Sequence, residues 1–269
     1  MSSNLYVEKA KKAKRIIIKI GSAALTHATG KINIRRIENL AKAIADSANA
    51  GREIILVSSG AVSVGAAKLG MSMPLDKVAD KKAAAAVGQA ELMSIYDRFF
   101  MSFGIKIAQV LLTRDIVENK ERRDQAEETL KALLGMGCVP IINENDTVSS
   151  DEIKFSGNDI LSAYVAKLCG ADLLINLSDI NGLYNKNPAV HHDAELVREV
   201  QAVTPEILAY AGGAGSERGT GGMITKLQAA IMIRDTPMII ANGTNPDILY
   251  DILDGIIAGT YIKNENNED

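Results

Sequence analysis

Tryptophan is absent from this chain, and aromatic residues make up only 4% of its 269 positions. A surface that stacks bases needs such rings, so single-stranded nucleic acid loses its usual platform. Charge points the same way: 30 Lys and Arg stand against 33 Asp and Glu, a net −3 with no basic field to attract a phosphate backbone. Only two cysteines occur, Cys138 and Cys169, and they form no C-x-x-C; they read as small buried apolar residues of a reducing compartment. His27 and the adjacent His191-His192 lack metal-ligand spacing and are expected in loops, so no protein-held metal is expected. No apolar run approaches membrane-spanning length, so no membrane association is expected. The basic start (Lys9, Lys11, Lys12, Lys14, Arg15) leads into Ile16-Ile17-Ile18, but Lys19 interrupts that run and removes the secretory reading. A soluble cytoplasmic protein is the expectation.

What is present is core-forming material, with 47% hydrophobic residues arranged in two alternating patterns. Short Ile/Val/Leu-rich runs at 15–20, 53–58, 105–112, 138–142, 172–177 and 237–241 read as strands buried on both faces. Between them lie longer segments of helical spacing. Ile34, Ile37, Ala41, Ile44 and Ala48 follow Asn33, a good N-cap, and precede Gly51, a good terminator. Further helices are expected over 83–103, 121–135 and 159–169, and one opening at Thr204-Pro205-Glu206. The alternation predicts an α/β fold with a mostly parallel sheet between layers of helices. Segment 143–155, with Val148 and Ile153-Lys154-Phe155 around Ser149-Ser150-Asp151, is expected to form a β-hairpin at the sheet's rim. No repeats or linkers occur. One domain over 14–262 is expected, behind an extension at 1–13 and ahead of an acidic tail at 263–269.

Open α/β sheets bind ligands at the carboxyl ends of their strands, which makes the residues there informative. The first strand ends in Lys19-Ile20-Gly21-Ser22, the second in Ser58-Ser59-Gly60-Ala61, the fourth in Asn143-Glu144-Asn145-Asp146 and the fifth in Ser178-Asp179. Gly219-Thr220-Gly221-Gly222-Met223-Ile224-Thr225-Lys226 places glycines just before a helical segment, with a lysine one turn in. Glycines allow close backbone approach, and a helix start adds free N–H donors, so this octapeptide suits a phosphate. Each cluster has a plainer reading alone. Lys19 could snorkel from a strand end, Ser58-Ser59-Gly60 could be a turn, Asn143-Glu144-Asn145-Asp146 a polar loop, and Gly157-Asn158-Asp159 a helix cap. Their joint placement after successive buried strands is what those readings leave unexplained. G-x-x-x-x-G-K-[ST], G-x-G-x-x-G and the protein-kinase signatures are all missing.

In this order and spacing, Lys19-Ile20-Gly21-Ser22, Ser58–Gly65, Asn143–Asp146, Asn158-Asp159, Ser178–Tyr184 and the Gly219–Lys226 loop resemble the amino acid kinase family, in the branch that phosphorylates glutamate on the way to proline. The resemblance runs from about Lys14 to Ile262. It implies an open three-layer αβα sandwich, with the amino acid under the early strand ends and ATP over the C-terminal half. It implies Lys19 and Lys226 at the transferring phosphate, with Asp159 organising both. Ser59, Gly60, Asp146 and Asn158 would hold L-glutamate. Lys19, Gly21, Ser178, Asp179 and the run Thr220, Gly221, Gly222, Met223, Ile224, Thr225 and Lys226 would hold the nucleotide. It further implies Mg²⁺, a homo-oligomer and functional coupling to a glutamyl phosphate reductase. Two departures stand out. Many members carry an acid where this chain has Gly157, and an aspartate there is expected to be tolerated for folding; many also continue into a PUA-type domain, whereas this sequence ends before one.

The residue types suit such a reaction. A carboxylate acceptor is already ionised at neutral pH, so no general base is required. The obstacle is repulsion between two anions, which lysines and Mg²⁺ relieve. Asp146 is the natural partner for the substrate's ammonium, and Ser59, Asn158 and the N–H groups around Gly60 for its α-carboxylate. Two other readings stay open from sequence: a kinase of another small carboxylate or carbamate, and a non-catalytic amino-acid sensor.

Overall fold

The computed structural model describes residues 2–27, 29–150, 155, 157–211, 222–256 and 258–263. Helix α1 (Ser2–Lys12) leads into strand β1 (Arg15–Ile20), and α2 (Ser22–Leu25) and α3 (Ile34–Asn49) into β2 (Glu53–Ser58). Helices α4 (Ala61–Lys68) and α5 (Val78–Ser102) precede β3 (Lys106–Leu112); α6 (Arg114–Glu118) and α7 (Lys120–Gly135) precede β4 (Cys138–Glu144). Then come α8 (Asn158–Cys169), β5 (Leu173–Ser178), β6 (Glu199–Val200), α9 (Pro205–Ala211), α10 (Met223–Met232), β7 (Met238–Asn242), α11 (Ile248–Leu253) and β8 (Thr260–Ile262).

The strands form one sheet in the order β3-β4-β2-β1-β5-β7-β8-β6. Strands β3 to β7 in that order are parallel; β8 runs antiparallel to β7, and β6 pairs parallel with β8. Alternation along the central strands feeds two cores. Ile16, Ile18 and Ile20 pack on the side of α3, α5 and α11, and Ile17 on the side of α8 and α10. Lys19 shares the second face. The Asn33 side chain accepts from the Arg36 N–H at the start of α3, and that helix stops at Gly51 with φ 89°, as the residue types lead one to expect.

Two expectations change, and two further strands join the sheet. The 105–112 run is not buried on both faces, because β3 is an edge strand and is largely half-exposed. Strands β6 and β8 are too short to register as apolar runs. Of the expected rim hairpin, Asn143 and Glu144 instead complete β4, and Val148 N–H bonds to the Asn145 carbonyl (3.2 Å) in a turn; Ile153 and Lys154 lie outside the described residues. Helix α4 meets α5 backbone to backbone. A methyl group on Gly65 would sit 1.7 Å from the Ala84 carbonyl oxygen, and one on Gly88 1.8 Å from that of Ala61. Only glycine fits at either point. Among the described residues no helix is long and apolar enough to cross a membrane.

Candidate active site

β1 has β2 on one side and β5 on the other, so the chain switches direction across the sheet at β1, the place where such sheets open a crevice. A cavity of about 470 Å³ lies there, at the carboxyl ends of β1, β2, β4 and β5. From β1 and the turn after it come Lys19 and Gly21, and from the end of β2 come Ser59 and Gly60. Asp146 follows β4, Asn158 and Asp159 open α8, and Ser178 and Asp179 follow β5; Lys226 arrives from α10. All ten are residues the sequence singled out.

At the floor, Lys19 Nζ lies 2.6 Å from Asp159 Oδ1, and Lys226 Nζ lies 3.1 Å from Asp159 Oδ2. These charges are almost out of reach of water, with exposures of 5%, 3% and 1% for Lys19, Lys226 and Asp159. Burial alone would raise the Asp159 pKa, but Lys19, Lys226 and a hydrogen bond from Thr225 hold its carboxyl far below the usual carboxylate range. Burial pushes the Lys19 ammonium down from its ordinary value; Asp159 offsets part of that, and Lys226 adds to it. Lys19 and Lys226 share the one carboxylate of Asp159, and the Asp179 carboxylate also acts on Lys19. Asp159 also sits in the first turn of α8, where the helix dipole favours an anion.

The opposite wall is built from amides and hydroxyls. Asn158 Nδ2 lies within hydrogen-bond reach of Ser59 Oγ (2.8 Å), Asn143 Oδ1 (3.0 Å) and the Ser58 carbonyl (3.2 Å). Asn143 in turn donates to Gln89 Oε1 at 2.9 Å, and Glu144 Oε1 accepts from Phe155 N–H (2.8 Å) and Ser149 Oγ (3.1 Å), tying down the loop after β4. Asp146 borders the cavity, and burial raises its pKa. Gly60 starts α4 with φ 105°, a backbone shape that favours glycine.

Other expectations fare differently. Thr220 and Gly221 lie outside the described residues. Gly222, Met223 and Ile224 are half-buried at the start of α10 but do not line the cavity, and Met223 packs on the hydrophobic core. Thr225 does not line it either, yet its Oγ1 is 2.7 Å from Asp159 Oδ2. Gly157 adopts φ 114°, ψ 167°, a backbone shape that favours glycine, so an aspartate there would be strained. Sequence reasoning overlooked Asn176, whose Nδ2 lies 2.8 Å from Asp159 Oδ1. The signal was present, a single amide inside the apolar strand Leu173–Ser178. It also passed over Asn242, which bonds Asn181 at 2.8 Å beyond the Asp179 side of the cavity.

Residues 14–242 match the amino acid kinase family. The glutamate 5-kinase of Clostridium perfringens (strain 13 / Type A) is 47% identical over 264 residues, covering 96% of this chain and 98% of that protein. Those of Listeria monocytogenes serotype 4b (strain CLIP80459) and Enterococcus faecalis (strain ATCC 700802 / V583) are 47% and 45% identical; each alignment covers 97% of this chain, and 97% and 99% of the relative. Among solved structures, T. acidophilum isopentenyl phosphate kinase aligns with a TM-score of 0.63 at 18% identity over 92% of this chain and 99% of that one. The UMP kinase from Bacillus anthracis aligns with a TM-score of 0.64 at 17% identity, over 94% and 96%. At such identities the two structures speak to the fold alone.

Proposed function

We infer that this chain, which belongs to the amino acid kinase family, phosphorylates the side-chain carboxylate of L-glutamate with ATP to give γ-glutamyl phosphate, the first step of proline biosynthesis. The observation that carries the reading is the buried Lys19–Asp159–Lys226 cluster at the floor of a cavity whose other wall is polar. A glutamate carboxylate oxygen attacks the γ-phosphorus, an O–P bond forms, and the bond to ADP breaks. No base is needed, since the acceptor is ionised at neutral pH.

Lys19 and Lys226 offset the repulsion between the two anions and the charge on the transferring oxygens. Asp159 sets the separation of the lysines. Asp146 meets the substrate ammonium, while Ser59, Asn158 and the backbone at Gly60 meet its α-carboxylate. Gly21, Ser178, Asp179 and the start of α10 face the nucleotide. Asp179 and Ser178 offer oxygen donors, the type Mg²⁺ prefers, and among the described residues there is no cluster of three or more His, Cys, Asp or Glu to cage an ion. That donor set fits a Mg²⁺ that arrives on ATP and neutralises phosphate charge. The same reading makes residues 14–262 one domain with an amino-acid half and a nucleotide half. It also makes the protein a cytoplasmic homo-oligomer whose labile product passes to a glutamyl phosphate reductase.

Hydroxylamine traps an acyl phosphate as a hydroxamate. Purified protein with ATP, Mg²⁺ and L-glutamate should form γ-glutamyl hydroxamate, with L-aspartate and carbamate inert. ADP release without hydroxamate from glutamate would overturn the substrate assignment.

A further inference from the structure

Asn176 occupies an unusual place. Register carries a row of side chains across one face of the sheet: Ile142, Val57, Lys19, Asn176 and Ile240. Lys19 and Asn176 are the two polar members, they are neighbours, and both reach Asp159 Oδ1, at 2.6 and 2.8 Å. Asn176 is fully buried. The ionised Asp159 fixes the sense of the amide, because the opposite sense would set oxygen against carboxylate. The other end of the same side chain gains nothing: Asn176 Oδ1 is buried with no hydrogen-bond partner among the described residues. A leucine would fill this strand position without that cost. Such a breach of local rules marks a functional constraint.

We infer that Asn176 is a positioning residue for phosphoryl transfer, acting through Asp159; the inference rests on the kinase reading above. The carboxylate has one ammonium and one neutral group on each oxygen, Lys19 with Asn176 on Oδ1 and Lys226 with Thr225 on Oδ2, the single Thr225 proton also having the Gly222 carbonyl within reach at 2.8 Å. A carboxylate accepts about four such donors, so Asp159 is close to saturation, and reaches it on the Oδ1 side. Saturation fixes its rotation. A carboxylate free to turn would follow one lysine and release the other, and the two ammonium groups would lose the spacing that serves a phosphate between them.

Asn176→Leu tests this. Its melting temperature should equal or exceed that of the unaltered protein. KM for glutamate and ATP should stay within about twofold, and kcat should fall about ten- to a hundredfold. An unchanged kcat would overturn the inference. So would a kcat loss accompanied by comparable rises in both KM values and a lower melting temperature, the pattern of general loosening. Asn176→Asp gives an independent reading should the leucine variant not fold. Its carboxyl can donate to Asp159 only when protonated, so the ratio of its kcat to that of the unaltered protein should rise as pH falls. A flat ratio would overturn the inference. Hydroxamate formation by the unaltered protein tests the kinase reading separately, since the variants are judged only as ratios to it.

Discussion

On the β1–β5 side of the cavity, charge is buried and organised around a carboxylate: two ammonium groups share Asp159, with Asp179 beyond them. On the β2–β4 side, Asn158, Asn143 and Ser59 hold one another through neutral hydrogen bonds; of the two carboxylates there, Glu144 is engaged with its own loop, and Asp146 is half-buried with a raised pKa. One wall waits for an anion and the other for a cation. A phosphate suits the first and the ammonium of an amino acid the second. The difference teaches where energy is spent. Under the proposed function, the buried wall would store preorganised charge for the transition state, and the amide wall would provide shape and selectivity for the ground state.

The largest expected effect comes from emptying the charged wall. Lys226→Ala should lower kcat by about a hundred- to a thousandfold, the usual cost of losing a donor to developing charge, with little change in KM for glutamate. Thermal stability should survive, because Lys19 and Asp159 remain as a balanced buried pair. Steady-state kinetics with an unchanged kcat would remove Lys226 from the transfer. Next, Asp146→Ala should raise KM for glutamate by about ten- to a hundredfold, the value of a hydrogen bond to a charged group, while calorimetry finds ATP affinity intact. Loss of ATP binding with glutamate binding kept would reverse the assignment of the walls.

A smaller effect concerns pH. The Asp146 pKa is raised by burial, so on acidification this group takes its proton earlier than an ordinary carboxylate and loses its hold on an ammonium. kcat/KM for glutamate should therefore fall on the acid side while kcat/KM for ATP holds, and Asp146→Asn should abolish that limb. Parallel limbs for both substrates would place the titration elsewhere. The smallest effect is structural. Gly157→Asp forces a side chain into φ 114°, ψ 167°, and should cost about 1–3 kcal/mol of stability, read as a lower melting temperature. A melt identical to that of the unaltered protein would show that the turn relaxes freely.

Legibility in the sequence followed the length and regularity of the pattern. β1 and β2 were readable to the residue because six consecutive positions, bounded by polar groups, are nearly all buried. The edge status of β3 was not, since Ile107, Val110 and Leu111 look the same in sequence whether one partner strand or two lie beside them. β6 and β8, of two and three residues, are defined by pairing alone. In the site, Lys19, Asp146 and Asp179 were legible as strand-end punctuation. Asn176 showed only as a lone amide in an apolar strand, and its meaning depends on a carboxylate 17 residues away. Gly157 was legible as a departure, and its φ of 114° is what the structure adds.

The crossing of α4 and α5 carries a mechanical consequence. Where Gly65 and Gly88 meet, no side chains cushion the two helices, and α4 begins at the cavity itself through Gly60, Ala61, Val62 and Ser63. Close-packed backbone scarcely compresses. The start of α4 at the cavity is therefore seated directly on the backbone of α5, a helix of 25 residues, with no side chain between them to take up a change in spacing.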